Sequence, residues 1–201
     1  HAAFRGDQPW LPGVTYQAFM GSKVDALDID ENEFVRGSSS LELTIPSTSD
    51  PSGGFAGGAF VNVYPRNLSS FNALTFWARA STAATFDLAG LGNDNTGTSR
   101  FGVTWNDIQL STTWTKYVIP IPDPSRLSQE RGLFQFAEGS DYPVGYEVWI
   151  DEVQFETLNT IASPQPTIPS RAINEEGAGS VTSQSTQVTY DVAGQTQTIN
   201  A

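Results

Sequence analysis

Residues 146–156 read Tyr-Glu-Val-Trp-Ile-Asp-Glu-Val-Gln-Phe-Glu, and this stretch is the strongest strand signal in the chain. Apolar residues alternate over 146–150, lose their phase at Asp151 and Glu152, and resume over 153–155. A period of two is typical of a half-buried β-strand. A carboxylate at the break in phase of a buried strand needs a hydrogen-bond network or a bound cation, because an unpaired buried charge is costly.

Short alternating segments continue through most of the sequence and predict an all-β protein. Turn-forming segments such as Gly92–Gly97 separate these segments about every ten residues, and the one helical signal lies at 123–130. This pattern predicts a β-sandwich or jelly roll of two antiparallel sheets. The predicted strands are 14–19, 40–45, 60–64, 73–80, 85–91, 100–105, 115–119, 133–137 and 146–155.

The composition changes near the C-terminus, which predicts a domain boundary. We assign residues 1–158 to the β domain and residues 159–201 to a Pro/Ser/Thr-rich segment. Two alternating runs at 188–192 and 195–199 predict a hairpin in this segment. The segment is therefore a linker with the start of a further module, or a pair of strands docked on the main domain.

The residue composition excludes several classes of protein. Twenty-two acidic and ten basic residues give a net charge of −12, which leaves no basic surface for nucleic acid or an anionic membrane. Cysteine is absent and the only histidine is His1, which excludes Cys-His and Ser-His-Asp catalysis and most zinc chemistry. No apolar run approaches the length of about 18 residues that predicts a membrane span. Because no initiator Met precedes His1, we interpret the chain as a mature or excised fragment.

Five segments, in this order and spacing, resemble the jelly-roll carbohydrate-binding modules of bacterial polysaccharide-degrading systems. They are Gly37–Leu43, Asn72–Ala80, Ser111–Pro120, Gly132–Phe136 and Tyr146–Phe155. The resemblance covers residues 14–156. It implies a monomer, secreted or held at the cell surface or in the periplasm, that binds a polysaccharide, most simply a β-glucan, through an aromatic and polar concave sheet face. A structural or adhesive β domain of a bacterial surface protein is the main alternative.

Candidate ligand-binding residues are aromatic and planar polar side chains, which suit the apolar faces and the hydroxyl groups of sugars. Trp77 and Arg79 share one face of a predicted strand, and Asp87 and Gln135 lie beside them if the strands pair in sequence order. Core packing is the alternative for Trp77, and an ordinary solvated strand face is the alternative for the polar residues. The candidates are Trp77, Arg79, Asp87, Asn93, Arg100, Trp105 and Gln135, with Trp10 and Phe55 as further stacking candidates.

The resemblance also implies a structural calcium ion, held between an early loop and the last strand of the domain. The matching residues here are Asp28 and Asp30 in the acidic segment and Asp151 in the final strand. Carboxylate oxygens are the ligands that calcium prefers. The alternative is a solvated acidic loop.

Catalysis is not expected, because the spacing of acids in the final strand is wrong for a glycanase. Jelly-roll glycanases of the kind considered place two Glu and one Asp on one strand face, at a spacing close to E-x-D-x-x-E. Glu147 and Asp151 share a face here, but Glu152 lies on the other. A glycanase or polysaccharide lyase is therefore the least favoured alternative.

Overall fold

The computed structural model describes residues 12–97, 101–159, 161, 187–192 and 195–201. The described chain is a β-sandwich of two antiparallel sheets, which confirms the predicted fold class. In this part of the chain, no helix has the length and apolar character needed to cross a membrane. The predicted helical turn is a short 3-10 helix at Pro124–Leu127.

Among the described residues, twelve strands make up the two sheets. They are β1 Val14–Ala18, β2 Leu27–Asp30, β3 Ser40–Ile45, β4 Phe55–Arg66, β5 Ala73–Ala80, β6 Ala84–Leu91, β7 Val103–Leu110, β8 Thr115–Pro120, β9 Glu130–Gly139, β10 Tyr146–Glu156, β11 Gln187–Val192 and β12 Gln195–Asn200. The seven-stranded sheet has the order β1-β4-β9-β6-β7-β12-β11, and the five-stranded sheet has the order β2-β3-β10-β5-β8. Strands that follow one another in sequence therefore often lie in opposite sheets.

Aromatic side chains fill the space between the sheets. Phe76 of the five-stranded sheet contacts Phe134 of the seven-stranded sheet, with ring centroids 5.6 Å apart. Phe60, Phe86 and Phe136 are likewise fully buried. Because these residues alternate with outward-facing ones, the pattern read from the sequence fixes which side chains lie on each outer face.

Strand β10 contains a β-bulge at the break in phase seen in the sequence. Its pairing with β5 shifts register between Asp151 and Gln154, and Glu152 has a φ of 48°. A bulge inserts an extra residue and turns the following side chains to the other face of the strand. The bulge therefore explains why Val148, Ile150, Val153 and Phe155 are all buried despite the change of phase.

Two predicted loops contain strands instead. The Gly-rich segment before Phe60 belongs to β4, where small residues allow close packing, and part of the acidic segment forms β2 at a sheet edge. The C-terminal hairpin of β11 and β12 pairs with β7 and buries Val188, Tyr190 and Ile199 in the common core. The structure thus places the hairpin on the sandwich itself.

Candidate functional site

The predicted ligand-binding residues lie on two opposite faces of the molecule. Trp77 and Arg79 are on β5, which pairs with β10 and β8 in the five-stranded sheet. Asp87 and Gln135 are on β6 and β9 of the seven-stranded sheet. The prediction that they share one face was wrong, because it assumed that β5 and β6 pair in sequence order.

A row of side chains crosses all seven strands of the larger sheet on its outward face. Cross-strand partners point to the same side of a sheet, so the paired residues form one continuous line. With strands about 4.8 Å apart, six spacings make the row about 29 Å long. This polar row consists of Gln17, Ala59, Gln135, Gly90, Thr104, Asn200 and Gln187.

From Gln17 to Thr104, the polar row alternates hydrogen-bonding side chains with small ones. Ala59 separates Gln17 from Gln135, and Gly90 separates Gln135 from Thr104. Amide and hydroxyl groups both donate and accept hydrogen bonds, as sugar hydroxyls do. The outward face of this sheet, which we call the seven-strand face, therefore carries amide and hydroxyl groups suited to a neutral polyhydroxylated chain. The accessible members of the row are Gln17, Thr104, Asn200 and Gln187, whereas Ala59, Gly90 and Gln135 are buried.

The 92–97 turn adds two more amides above the polar row. The Asn93 side-chain amide donates to Gln135 Oε1 over 2.8 Å, and that of Asn95 donates to Gln17 Oε1 over 3.4 Å. Asn93 Oδ1 also accepts from the Asn95 backbone N–H over 2.8 Å. A Cβ on Gly132 would lie 2.4 Å from the Asn93 carbonyl, so glycine at that position lets the turn approach β9. Gln135 is itself buried and holds Asn93, while Asn95 is exposed.

Phe55 lies at one end of the same face. It is half-buried on β4, where its partner is Gly139. A Cβ on Gly57 would lie 2.9 Å from the Phe55 ring, so the ring covers this glycine. The predicted strands left Phe55 in a loop. In the structure it lies on β4 and keeps part of its surface exposed, as stacking on a sugar requires.

Two carboxylates, Asp87 and Glu138, meet near the end of the sheet. Glu138 is fully buried and accepts hydrogen bonds from the Asp87 backbone N–H and from the Tyr146 hydroxyl of the other sheet. Burial raises the pKa of Glu138 to about 7. Asp87 is exposed and accepts from the Gly139 N–H over 2.8 Å. Glu138 thus links the two sheets and faces away from any ligand on the surface.

Trp105 is partly buried. Its ring contacts Tyr117 of the opposite sheet, with centroids 6.1 Å apart. Trp105, a candidate ligand-binding residue, therefore packs against the core. Arg100 and Trp10 lie outside the described residues.

The five-stranded sheet carries its own aromatic and charged groups on its outward face, which we call the five-strand face. The Arg79 guanidinium lies 5.0 Å from the centre of the Trp149 ring and pairs with Glu33 over 2.8 Å. Trp149 Nε1 donates to Asp30 Oδ2 over 2.9 Å. Arg79, offered by the sequence as a ligand donor, is therefore engaged with its neighbours.

The three predicted calcium ligands, Asp28, Asp30 and Asp151, are not gathered into one cluster. Asp151 is fully buried, and its carboxylate accepts backbone N–H bonds from Val35 (2.8 Å), Arg36 (3.0 Å) and Glu152 (2.7 Å). Oxygens that accept N–H donors have few lone pairs left for a cation. Asp28, on β2, accepts a hydrogen bond from the adjacent Ile29 N–H, and within the described ranges no three acidic, His or Cys residues gather to hold a metal. Calcium binding by the chain stays a prediction without a matching ligand set.

No protein-family model matches the sequence, and no curated protein matches it in sequence. The fold, in contrast, matches solved carbohydrate-binding modules. The family 30 module of the cellulosomal cellulase Cel9D-Cel44B of Clostridium thermocellum is 16% identical, with a TM-score of 0.54, over 79% of this chain and 97% of that one. A family 11 module of the same organism, in complex with a β-1,3-1,4-mixed-linked tetrasaccharide, is 12% identical, with a TM-score of 0.52, over 78% and 95% of the two chains.

An exo-β-agarase matches in the same way over part of its length. It is 14% identical, with a TM-score of 0.52, over 79% of this chain and 25% of its own. At such identities the likeness concerns the fold. The chain therefore has the two-sheet fold of the family 30 and family 11 carbohydrate-binding modules, as the order of its sequence segments predicted.

Proposed function

We propose that this chain is a non-catalytic carbohydrate-binding module that holds a neutral polysaccharide, most simply a β-glucan, on the seven-strand face. The polar row is the observation that supports the proposal. Its length of about 29 Å suits an extended chain of several sugar units lying across the strands. Its accessible side chains, those of Gln17, Thr104, Asn200 and Gln187, meet the hydroxyl groups of the sugars.

Each group on the face has a part in this binding. Asn95 and Gln17, at one end of the row, donate to and accept from hydroxyls. The hydrogen bond from Asn93 to Gln135 fixes the turn that carries Asn95. The Phe55 ring stacks on the C–H face of a sugar. The family 11 structure with a mixed-linked tetrasaccharide supports the choice of a β-glucan as the first ligand to test. Such a module would concentrate an attached or associated enzyme on its substrate.

Titration calorimetry with mixed-linkage β-glucan oligosaccharides tests the proposal. The variant Asn95→Gly removes one amide and suits the φ of 56° at this position, so the turn should be retained. We expect it to weaken binding by about tenfold, the loss of one interaction of about 1.4 kcal/mol. Gln129→Ala, at an exposed residue that does not belong to the polar row, is the matched control and should bind as the wild type does.

Two results would contradict the proposal. If the protein binds none of a panel of laminarin, mixed-linkage glucan, xylan and agar, the structural or adhesive alternative is preferred. If incubation with these polysaccharides releases new reducing ends, and Asp87→Asn abolishes the release, the protein is an enzyme.

A further inference from the structure

A pocket of about 310 Å³ opens on the five-strand face, on the side of the sandwich away from the polar row. The loop at Val35 and Arg36 forms one wall, and outward side chains of β5, β8 and β10 form the rest, including half-buried Trp77. Its volume is at the lower end of the range for small-molecule sites. The function proposed above does not use this pocket, which we call the bulge pocket.

The β-bulge of β10 shapes one side of the bulge pocket. Glu152, at the centre of the bulge, has a φ of 48°, which is uncommon for a residue other than glycine. Beyond the bulge, Gln154 also lines the pocket, and its side-chain amide donates to Glu152 Oε2. Bulges and uncommon backbone angles concentrate where a protein directs side chains toward a ligand.

The opposite wall is fixed by Asp151. Its buried carboxylate accepts the backbone N–H groups of Val35 and Arg36 and also that of Glu152. One side chain therefore holds both the loop and the bulge, and the pocket lies between them. Such fixed walls are what a preorganised binding site requires.

The groups lining the bulge pocket suit a neutral sugar. Two cations, Arg36 and Lys116, are balanced by two acids, Glu152 and Glu156. Lys116 is paired with Glu156 over 3.0 Å, whereas the Arg36 guanidinium has no partner among the residues that the structure describes. A half-exposed indole beside such a donor is the arrangement in which a sugar ring stacks and its hydroxyls accept hydrogen bonds.

We propose that the bulge pocket is a second carbohydrate site, in which Trp77 stacks on one sugar unit at the end of a chain and Arg36 donates to its hydroxyls. The inference rests on the proposed function for the class of ligand, but it uses a different face and different residues. A module with ligands on both faces could connect two chains of one polysaccharide.

Calorimetry with a mixed-linkage tetrasaccharide tests the second site. We expect two sites per chain in the wild type, and one site in Arg36→Ala, which keeps the backbone N–H that Asp151 binds. Because Trp77→Ala could weaken the fold, Trp77→Phe is the companion variant. We expect the change in tryptophan fluorescence on saturation to fall at least about twofold in this variant, as direct contact with an indole requires. Gln129→Ala again serves as the control.

The outcomes separate this inference from the proposed function. A single site that is weakened by Asn95→Gly, and not by Arg36→Ala or Trp77→Phe, would overturn the second site and leave the first. Two sites, each weakened only by its own variant, would support both. Absence of any binding would overturn both proposals together.

Discussion

Asp151 is a fully buried carboxylate that backbone hydrogen bonds surround. A buried carboxylate requires either a cation or several hydrogen-bond donors, and here three backbone N–H groups satisfy it. Two of these donors come from a loop more than a hundred residues earlier in the chain. The sequence leaves both solutions open, because the donors belong to the backbone and have no signature in residue type.

Replacement of Asp151 by Ala should destabilise the protein by about 3 kcal/mol, because three donors lose a charged acceptor. The control is Asp28→Ala, whose carboxylate accepts from the adjacent Ile29 N–H in an exposed setting. We expect the control to change the free energy of unfolding by less than about 0.5 kcal/mol. Urea denaturation measures both variants.

The same melting experiments distinguish the hydrogen-bond network from a calcium ion. With Asp151 satisfied by N–H groups, the wild-type melting temperature should be the same in EDTA and in calcium. A metal bound at a hundred times its Kd would add about 2.7 kcal/mol of stability. A melting temperature that falls in EDTA and recovers with calcium would therefore show that other oxygen ligands hold the ion.

Glu138 should make the stability depend on pH. Burial raises its pKa from 4.5 to about 7, so the folded protein holds a proton that the unfolded chain loses above about pH 4.5. This stabilisation is complete below pH 4.5 and is lost as the pH rises through 7. We expect Glu138→Gln to remove a decrease of about 3 kcal/mol in the free energy of unfolding between pH 4.5 and pH 8. An identical pH profile for variant and wild type would contradict this role.

Among the strands, those with strong alternation are predicted well, whereas strands with weak alternation and the pairing of strands are not. The alternation in 73–80 and 146–155 predicts β5 and β10 to within one residue. Residues 55–59 of β4 were predicted as a loop, because a strand rich in glycine and alanine has no alternation to detect. The pairing of β6 with β9, fifty residues apart, follows from the packing of the whole sandwich, so the polar row could not be assembled from the sequence.

The C-terminal hairpin offers a test of a single element. Ile199 is fully buried beside Trp105, while the adjacent Thr198 is exposed on the same strand. If β12 completes the sheet, Ile199→Ala should cost about 2–5 kcal/mol. Thr198→Ala should cost less than about 0.5 kcal/mol. Equal and small effects in thermal melting would mean that the hairpin contributes little to the fold.

The protein as a whole is strongly acidic, but the side chains of the polar row are uncharged. The net charge of −12 disfavours polyanions, while the polar row presents amides and a hydroxyl that carry no charge. Long-range electrostatics therefore contribute little to the binding of a neutral glycan, and short hydrogen bonds and ring contacts supply the affinity.

Because the polar row is uncharged, we can predict how binding responds to salt. Charges more than a Debye length apart are screened, and this length falls from about 30 Å at 0.01 M to about 3 Å at 1 M salt. The Kd for a neutral mixed-linkage glucan should change by less than about twofold over this range, because no charge pair is formed. Alginate, a polyanion, should bind more weakly, and any affinity should rise as salt screens the repulsion from an acidic surface. An affinity for alginate that falls steeply with added salt would instead indicate pairing with cations such as Arg36, and would assign the ligand to the acidic polysaccharides.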